Sequence, residues 1–379
     1  MSTLAAPGFL SSALWFLVVL GPLVFVHELG HYLAARLFRI RIDGFSIGFG
    51  PEIFGWTDKH RTRWRISVLP LGGYVKFAGD MNAASQPDPE AARLSPAERE
   101  RLFQFKPIWQ RAVVVAAGPM INFAFAILIF AALFTTVGQP YTVPKVAGIV
   151  PNSAAQAAGI KPGDMIVRLE GQSVRRFEDI INVIAINPGH PLNMTIARDG
   201  RQIDLSITPR RVEERDRFGN VYERGLIGLQ ATGRDVIRLN PFQAVGAATA
   251  QTLALTKSMA TTLWQIVSGR RAVTELGGPL KIADYSGQSA ALGLVPLVTF
   301  IALISINLGF VNLLPVPMLD GGHLVLYAIE GVRGRPVSPK VLEWSFRTGL
   351  ALVLSLMLFL TVNDLASFGV WNTLARIFS

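Results

Sequence analysis

Val26-His27-Glu28-Leu29-Gly30-His31 lies near the end of the first long apolar run of this 379-residue chain. Residues four apart share one face of a helix, so His27 and His31 can grip a single metal ion while Glu28 stands beside it as a base. A lone histidine in an apolar helix is ordinarily a satisfied packing residue. Here two imidazoles and a carboxylate fall within five residues of a chain that holds only five histidines. Ionisable groups near the centre of a membrane span cost roughly 2.5 to 3.5 kcal/mol each and persist mainly where they pair or serve a function. The stretch therefore reads as a metal site built into a membrane helix.

Composition agrees with that reading. Half of the residues are hydrophobic, 16% are charged and the mean hydropathy is +0.39, against about 25% charged in ordinary soluble domains. A polytopic helical membrane protein with a few spans and one domain-sized soluble insertion is expected. The net charge of +10 is spread over loops between apolar runs, so it reports membrane topology and not a nucleic-acid partner. With no cysteine in the chain, any metal must be held by histidines and carboxylates.

Residues 1–8 carry no Lys or Arg, and the apolar run continues from Phe9 to Phe38. A secretory signal would have a basic start and a shorter apolar core, so a retained span is expected. Arg36, Arg39, Arg41 and the basic loop as far as Arg111 predict a cytoplasmic loop and an outside N-terminus. In that loop Phe45 to Trp56 and Arg63 to Phe77 alternate as strands, and the polar stretch Asp80 to Lys106 predicts an amphipathic helix from the cap at Ser95. The glycine-flanked Leu69-Pro70-Leu71-Gly72-Gly73-Tyr74-Val75 could offer a strand edge to an extended peptide. A second span runs from Ile108 to Thr136. Gly118 and Pro119 favour close helix contact there, and Asn122 reads as a packing hydrogen bond.

From Val143 to Asp235 the hydropathy falls to that of a soluble domain. Val146 to Val150, Asp164 to Val167 and Leu192 to Ala197 read as strands, and Ala154 to Ala158 and Phe177 to Ile186 as helices. The pattern Pro151-Asn152-Ser153-Ala154-Ala155, then Ala158-Gly159-Ile160-Lys161-Pro162-Gly163-Asp164, resembles a PDZ domain of the kind attached to bacterial proteases. Leu226-Ile227-Gly228-Leu229 stands where a circularly permuted version places its terminus-capturing strand. Residues 241 to 268 predict a helix lying on the outer surface, since another crossing would put the next ligand on the wrong side of the membrane.

A third span starts near Ala291 and breaks at Asn312-Leu313-Leu314-Pro315-Val316-Pro317-Met318-Leu319-Asp320-Gly321-Gly322-His323. Irregular backbone at membrane depth is tolerated only where it faces protein or water. Asp320 enters there at the depth of His27 and His31 and would complete two imidazoles and one carboxylate, leaving a fourth tetrahedral position for water. His323 competes for third ligand, with a capping or supporting role as its other reading. Asn312 could bond substrate backbone or an oxyanion. Leu350 to Trp371 makes a fourth span.

His27-Glu28-Leu29-Gly30-His31, Leu69 to Lys76, Gly278-Pro279-Leu280 and Asn312 through His323 together resemble the site-2 protease family, in its bacterial regulator of sigma-E protease (RseP) group. The resemblance covers nearly the whole length. It implies four transmembrane helices, a membrane-associated β-hairpin and an inserted periplasmic PDZ domain. The corresponding divisions are 1–38, 39–107, 108–137, 143–235, 241–290, 291–332, 333–349 and 350–373. It also implies one Zn2+ held by His27, His31 and Asp320, with Glu28 as catalytic base; the residue readings above add substrate contacts at Asn312, Gly72, Gly73, Tyr74, Leu226, Ile227 and Gly228. The implied partners are membrane lipid, peptide termini at the PDZ domain, and single-pass membrane substrates such as anti-sigma factors or remnant signal peptides. The implied place is the bacterial inner membrane, with both termini periplasmic and the active site toward the cytoplasm. Some relatives carry two PDZ domains, whereas the space here fits one. The rival reading is a non-catalytic membrane PDZ scaffold with a structural metal, and Glu28 discriminates, because a closed structural site needs no base. A metal transporter would carry ionisable groups along a whole pathway, and the sequence offers one cluster.

Overall fold

Phe9–Leu37, 29 apolar-rich residues with a single interior proline at Pro22, form helix α1. At about 1.5 Å per residue such a helix exceeds the roughly 30 Å of a bilayer's hydrocarbon core. The computed structural model describes residues 8–79, 94–174, 176–215, 221–231 and 235–368. Most of the polar stretch expected from Asp80, and the end of the fourth span at Trp371, lie outside those residues.

In chain order the elements after α1 are β1 (Ile42–Thr57), β2 (Arg63–Phe77), α2 (Pro96–Arg99), α3 (Ile108–Thr136), β3 (Gln139–Tyr141), β4 (Val146–Ile149), α4 (Ala154–Ala157), β5 (Met165–Leu169), β6 (Gln172–Ser173) and α5 (Phe177–Ala185). There follow β7 (Leu192–Arg198), β8 (Arg201–Ile207), β9 (Arg210–Arg215), β10 (Val221–Leu226), β11 (Leu229–Ala231), β12 (Asp235–Ile237), α6 (Pro241–Val267), α7 (Pro279–Ala291), α8 (Leu294–Asn312), α9 (Asp320–Arg333) and α10 (Pro339–Ser367). Among the described residues four helices are long and apolar enough to cross a membrane, over Leu10–Leu37, Ile108–Thr136, Leu294–Asn312 and Lys340–Ser367. Helix α6 is as long but is not one of them.

The chain divides into two compact units. The first runs to Phe130 and adds Ala248–Thr256 and Gly277–Val362. Here α1 meets α3 at Gly30, where a Cβ would overlap the Ala117 carbonyl, and α3 meets α8 at Gly309, where a Cβ would stand 3.0 Å from the Pro119 carbonyl. The Ser305 hydroxyl donates to the Asn122 carbonyl at 2.8 Å across the second contact. Small residues of this kind let membrane helices approach closely enough for dispersion to hold them without a hydrophobic drive. Two features differ from the sequence reading. Within the 241–290 division, expected as a surface helix and connector, Pro279–Ala291 form a second helix, α7, which packs on α1. The amphipathic helix expected from Ser95 is the single turn α2, because the chain leaves it to bury Leu102 beside Ala78 and Phe103 on Phe77.

The two long strands of this unit each bend. Residues 44–47 pair with 63–66 on one side and with 73–76 on the other, while 54–57 pair back onto 63–66. The result is four segments in the order 54–57, 63–66, 44–47 and 73–77, antiparallel at the two outer pairings and running the same way at the central one, with 73–77 at one edge. Its turn is pinned by Asp58, whose carboxylate accepts from Tyr32 Oη at 3.1 Å, Trp64 Nε1 at 2.9 Å and the backbone N–H groups of His60 and Thr62. Burial alone would raise the Asp58 pKa, but these four donors together hold it below the usual carboxylate range.

The second unit is built on Ala131–Ala247, Lys257–Leu276 and the chain from Asn363. A four-stranded sheet in the order β6-β5-β7-β8 and the helix α5 enclose Ile166, Leu169, Ile180, Ile184, Met194, Ile196 and Ile207. Helix α5 earns its place through Phe177, Ile180 and Ile184, spaced three and four apart on one buried face. Smaller pairs β4–β11, β9–β10 and β3–β12 complete it. Asp164 is 1% exposed and accepts two bonds from Arg198, from Nε and Nη2, both at 2.7 Å.

Candidate metal centre

The helical period of α1 puts the His27 and His31 rings on one side, with their Nε2 atoms 3.3 Å apart. The third group comes from a turn whose shape is set by its own sequence. Helix α8 ends at Asn312, and Met318 takes φ +81°, a left-handed conformation costing about 1–3 kcal/mol for a residue with a side chain. Gly321 and Gly322 let α9 lie against the backbone of Leu313, Leu314, Val316 and Pro317, and Gly349 of α10 closes on Pro317 from the other side. Any Cβ at these three glycines would overlap backbone. The clamp fixes Asp320 in the first turn of α9, with Oδ2 at 3.2 Å from His27 Nε2 and 3.5 Å from His31 Nε2.

These three atoms form a triangle with sides of 3.2 to 3.5 Å. Tetrahedral ligands with bonds of about 2.0–2.2 Å to zinc stand roughly 3.3–3.6 Å from one another. Asp320 Oδ2 is buried and the geometry gives it no hydrogen bond, an uncompensated acceptor that a cation would satisfy. Among the described residues, His27, His31 and Asp320 are the group able to hold a metal ion. His323, the competing third ligand of the sequence reading, is not in it. Its ring lies 5.0 Å from that of Phe346 and lines a separate cavity with Arg111, Tyr327 and Glu330.

Glu28 is 8% exposed and follows His27 on the same helical turn. The edge strand reaches it at Gly73, where a Cβ would stand 2.9 Å from Glu28 Cγ and 2.7 Å from the Ser46 carbonyl. The backbone N–H of Val75 faces the Glu28 carboxylate. Gly72, at φ +156°, would drive a Cβ into the Phe49 ring, and that ring stacks on Tyr74. Asn312 is half-buried at the last position of α8. In the other unit Leu226 is exposed, Ile227 is buried in the core, and Gly228, at φ +76°, lies against Ser153.

Asn122 departs from its sequence reading. Its side chain faces His27 Nδ1 at 3.0 Å, while its backbone carbonyl carries the packing bond from Ser305. His31 Nδ1 bonds the Val114 carbonyl at 2.9 Å. Sequence reasoning did not assign these outer contacts; the signal available was the four-residue spacing of 114, 118 and 122 on one span.

The model of peptidase family M50 matches residues 15–356. A protein of Agrobacterium fabrum named "Putative zinc metalloprotease" is 45% identical over 370 residues, covering 96% of this chain and 98% of its own. A Rhizobium meliloti protein of the same designation is 45% identical over 92% of this chain and 95% of its own. Metalloprotease MmpA of Caulobacter vibrioides is 39% identical over 98% of this chain and all of its own.

Proposed function

The chain belongs to peptidase family M50, the site-2 proteases, and on that premise we propose that it is a zinc endopeptidase cleaving single-pass proteins within their transmembrane segments. The observation that carries this reading is the convergence of His27, His31 and Asp320 beside a buried Glu28 on a helix apolar enough to span a membrane. Zinc, when bound there, supplies a Lewis acid that polarises a carbonyl and acidifies water. Glu28 takes the proton of the attacking water and delivers it to the leaving amine nitrogen, a role that its neighbouring carboxylate, Asp320, leaves to it by serving as ligand. A scaffold whose metal is only structural would need neither Glu28 nor an open fourth position.

A helical substrate must be unwound before it can be cut. The edge segment 73–77 supports strand addition, since residues two apart on a strand turn their polar backbone groups to the same edge, and Val75 faces Glu28. Gly72, Gly73 and Tyr74 would seat the extended substrate, and Asn312 would donate to its backbone or to the oxyanion. Ile53, Phe54, Trp56, Val68 and Leu69 are exposed on the hairpin, which suits contact with lipid.

In this reading the protein resides in a bacterial inner membrane, with residues 143–235 a periplasmic PDZ domain whose Leu226-Ile227-Gly228 loop receives peptide termini. Anti-sigma factors and remnant signal peptides are the proposed substrates. The test is cleavage of a single-pass transmembrane substrate by purified protein in detergent. Chelator should abolish it and Glu28→Gln should lower it about 10²- to 10⁴-fold with metal retained. Turnover by Glu28→Gln at the wild-type rate would remove Glu28 from its role. Because the chain has no cysteine, single introduced cysteines report topology without background. Labelling of residue 199 from the cytoplasmic side would refute the periplasmic placement.

A further inference from the structure

Three residues of α3 spaced by four meet the two imidazoles from behind. The Val114 carbonyl takes the His31 Nδ1 proton at 2.9 Å. One turn later Gly118 presents a bare Cα on which the His31 ring rests, and a Cβ there would overlap Nε2, the atom aimed at Asp320. One further turn on, the Asn122 amide meets His27 Nδ1 at 3.0 Å, in a position with no solvent exposure.

We propose that Val114, Gly118 and Asn122 form an outer cradle on α3 that fixes the tautomer and tilt of both metal-binding imidazoles, with Asn122 the positioning residue for His27. For His31 the tautomer follows directly. With its proton on Nδ1 bonded to Val114, the lone pair of Nε2 is left for the cation. For His27 the amide orientation decides. As placed, Nδ2 of Asn122 donates to Nδ1 and Oδ1 is buried without a partner, an arrangement that leaves the ring proton on Nε2. Half a turn of the amide brings Oδ1 onto Nδ1–H and frees Nε2 for the metal. Either orientation leaves one amide atom unpaired, so the cation tips the balance toward the second. Two imidazoles four residues apart on one helix are thereby held by a matching four-residue repeat on its neighbour.

The proposal rests on the zinc reading, and its test separates the two. Affinity for Zn2+ is measured on the full chain in detergent by competition with a chromophoric chelator, and the visible spectrum of the Co2+ form reports ligand geometry. Asn122→Leu is expected to weaken Zn2+ about 10- to 100-fold and to alter the Co2+ spectrum. Asn122→Asp, which can only accept from Nδ1–H, should stay within a few-fold of wild type. Gly118→Ala is expected to lose Zn2+ through a steric route independent of Asn122. Ser305→Ala, which removes the α3–α8 bond without touching an imidazole, should leave Zn2+ affinity unchanged. Thermal unfolding of the metal-free proteins separates site loss from misfolding. Wild-type affinity in Asn122→Leu, equal losses in the Asp and Leu variants, or an equal loss in Ser305→Ala would each overturn the cradle while leaving the zinc reading intact. Absence of Zn2+ binding by the wild type would overturn both.

Discussion

Asp164 and Asp320 both close tight turns rich in proline and glycine, yet their surroundings are opposite. Asp164 in Lys161-Pro162-Gly163-Asp164 meets the Arg198 fork and the backbone N–H of Lys161 at 2.7 Å. Asp320, after Pro315-Val316-Pro317-Met318-Leu319, meets two imidazole nitrogens and has a buried oxygen with no hydrogen bond. A carboxylate with its donors in place is finished as structure. One held by strained backbone against other ligand atoms is prepared for something the protein does not itself provide. The sequence pattern around the two is alike. What differs is whether the fold brings a guanidinium or another pair of ligands.

The strongest way to break that comparison is to delete both side chains separately. Asp320→Ala should remove stoichiometric zinc and with it all cleavage, read by metal analysis of the purified protein. Unchanged stoichiometry would return the third-ligand role to His323. Asp164→Ala should leave zinc content alone and destabilise the smaller unit by about 2–3 kcal/mol, seen as faster hydrogen exchange over residues 146–207. A smaller effect tests whether the hairpin belongs to the site. Gly73→Ala should cut turnover about 10- to 100-fold with zinc retained, because its Cβ must push the edge strand off Glu28. Wild-type turnover would detach that strand from the chemistry.

Acid gives the mildest probe. Burial would raise the Asp164 pKa, but the Arg198 bonds and the Lys161 N–H outweigh it and hold the group below its ordinary value. Its contribution is therefore complete above the unfolded carboxylate pKa of about 3.9 and disappears as pH falls through the lower folded value. Asp164→Asn should flatten the acid dependence of exchange in that window, and an unaltered dependence would assign the acid limb to other carboxylates.

Much of this is legible in the sequence alone. His27 and His31 announce a shared face by their spacing, and the density of proline and glycine around Asp320 announces broken helix. The strands of the hairpin and the spans follow from period and length. What the chain could not display was which face of α3 would lie against α1. Asn122 read as packing because an amide in an apolar helix does pack, and only the close approach at Gly30 aims it at His27. Helix α7 escaped notice because Gly278, Gly287 and Gly293 with polar neighbours resemble a linker, and its order comes from burial against α1. The short pairs β3–β12 and β4–β11 join residues 80 to 98 apart, which no local pattern reports.

The close approach of the edge strand to Glu28 at Gly73 has a mechanical corollary. A proton acceptor set against the rim that would receive the incoming peptide cannot stay indifferent to its arrival. Any tug on that rim presses on or slackens the Glu28 side chain packed against Gly73, so occupancy of the groove and placement of the base become one variable. An empty groove would then idle with its base restrained, a safeguard for a hydrolase surrounded by the helices of its neighbours.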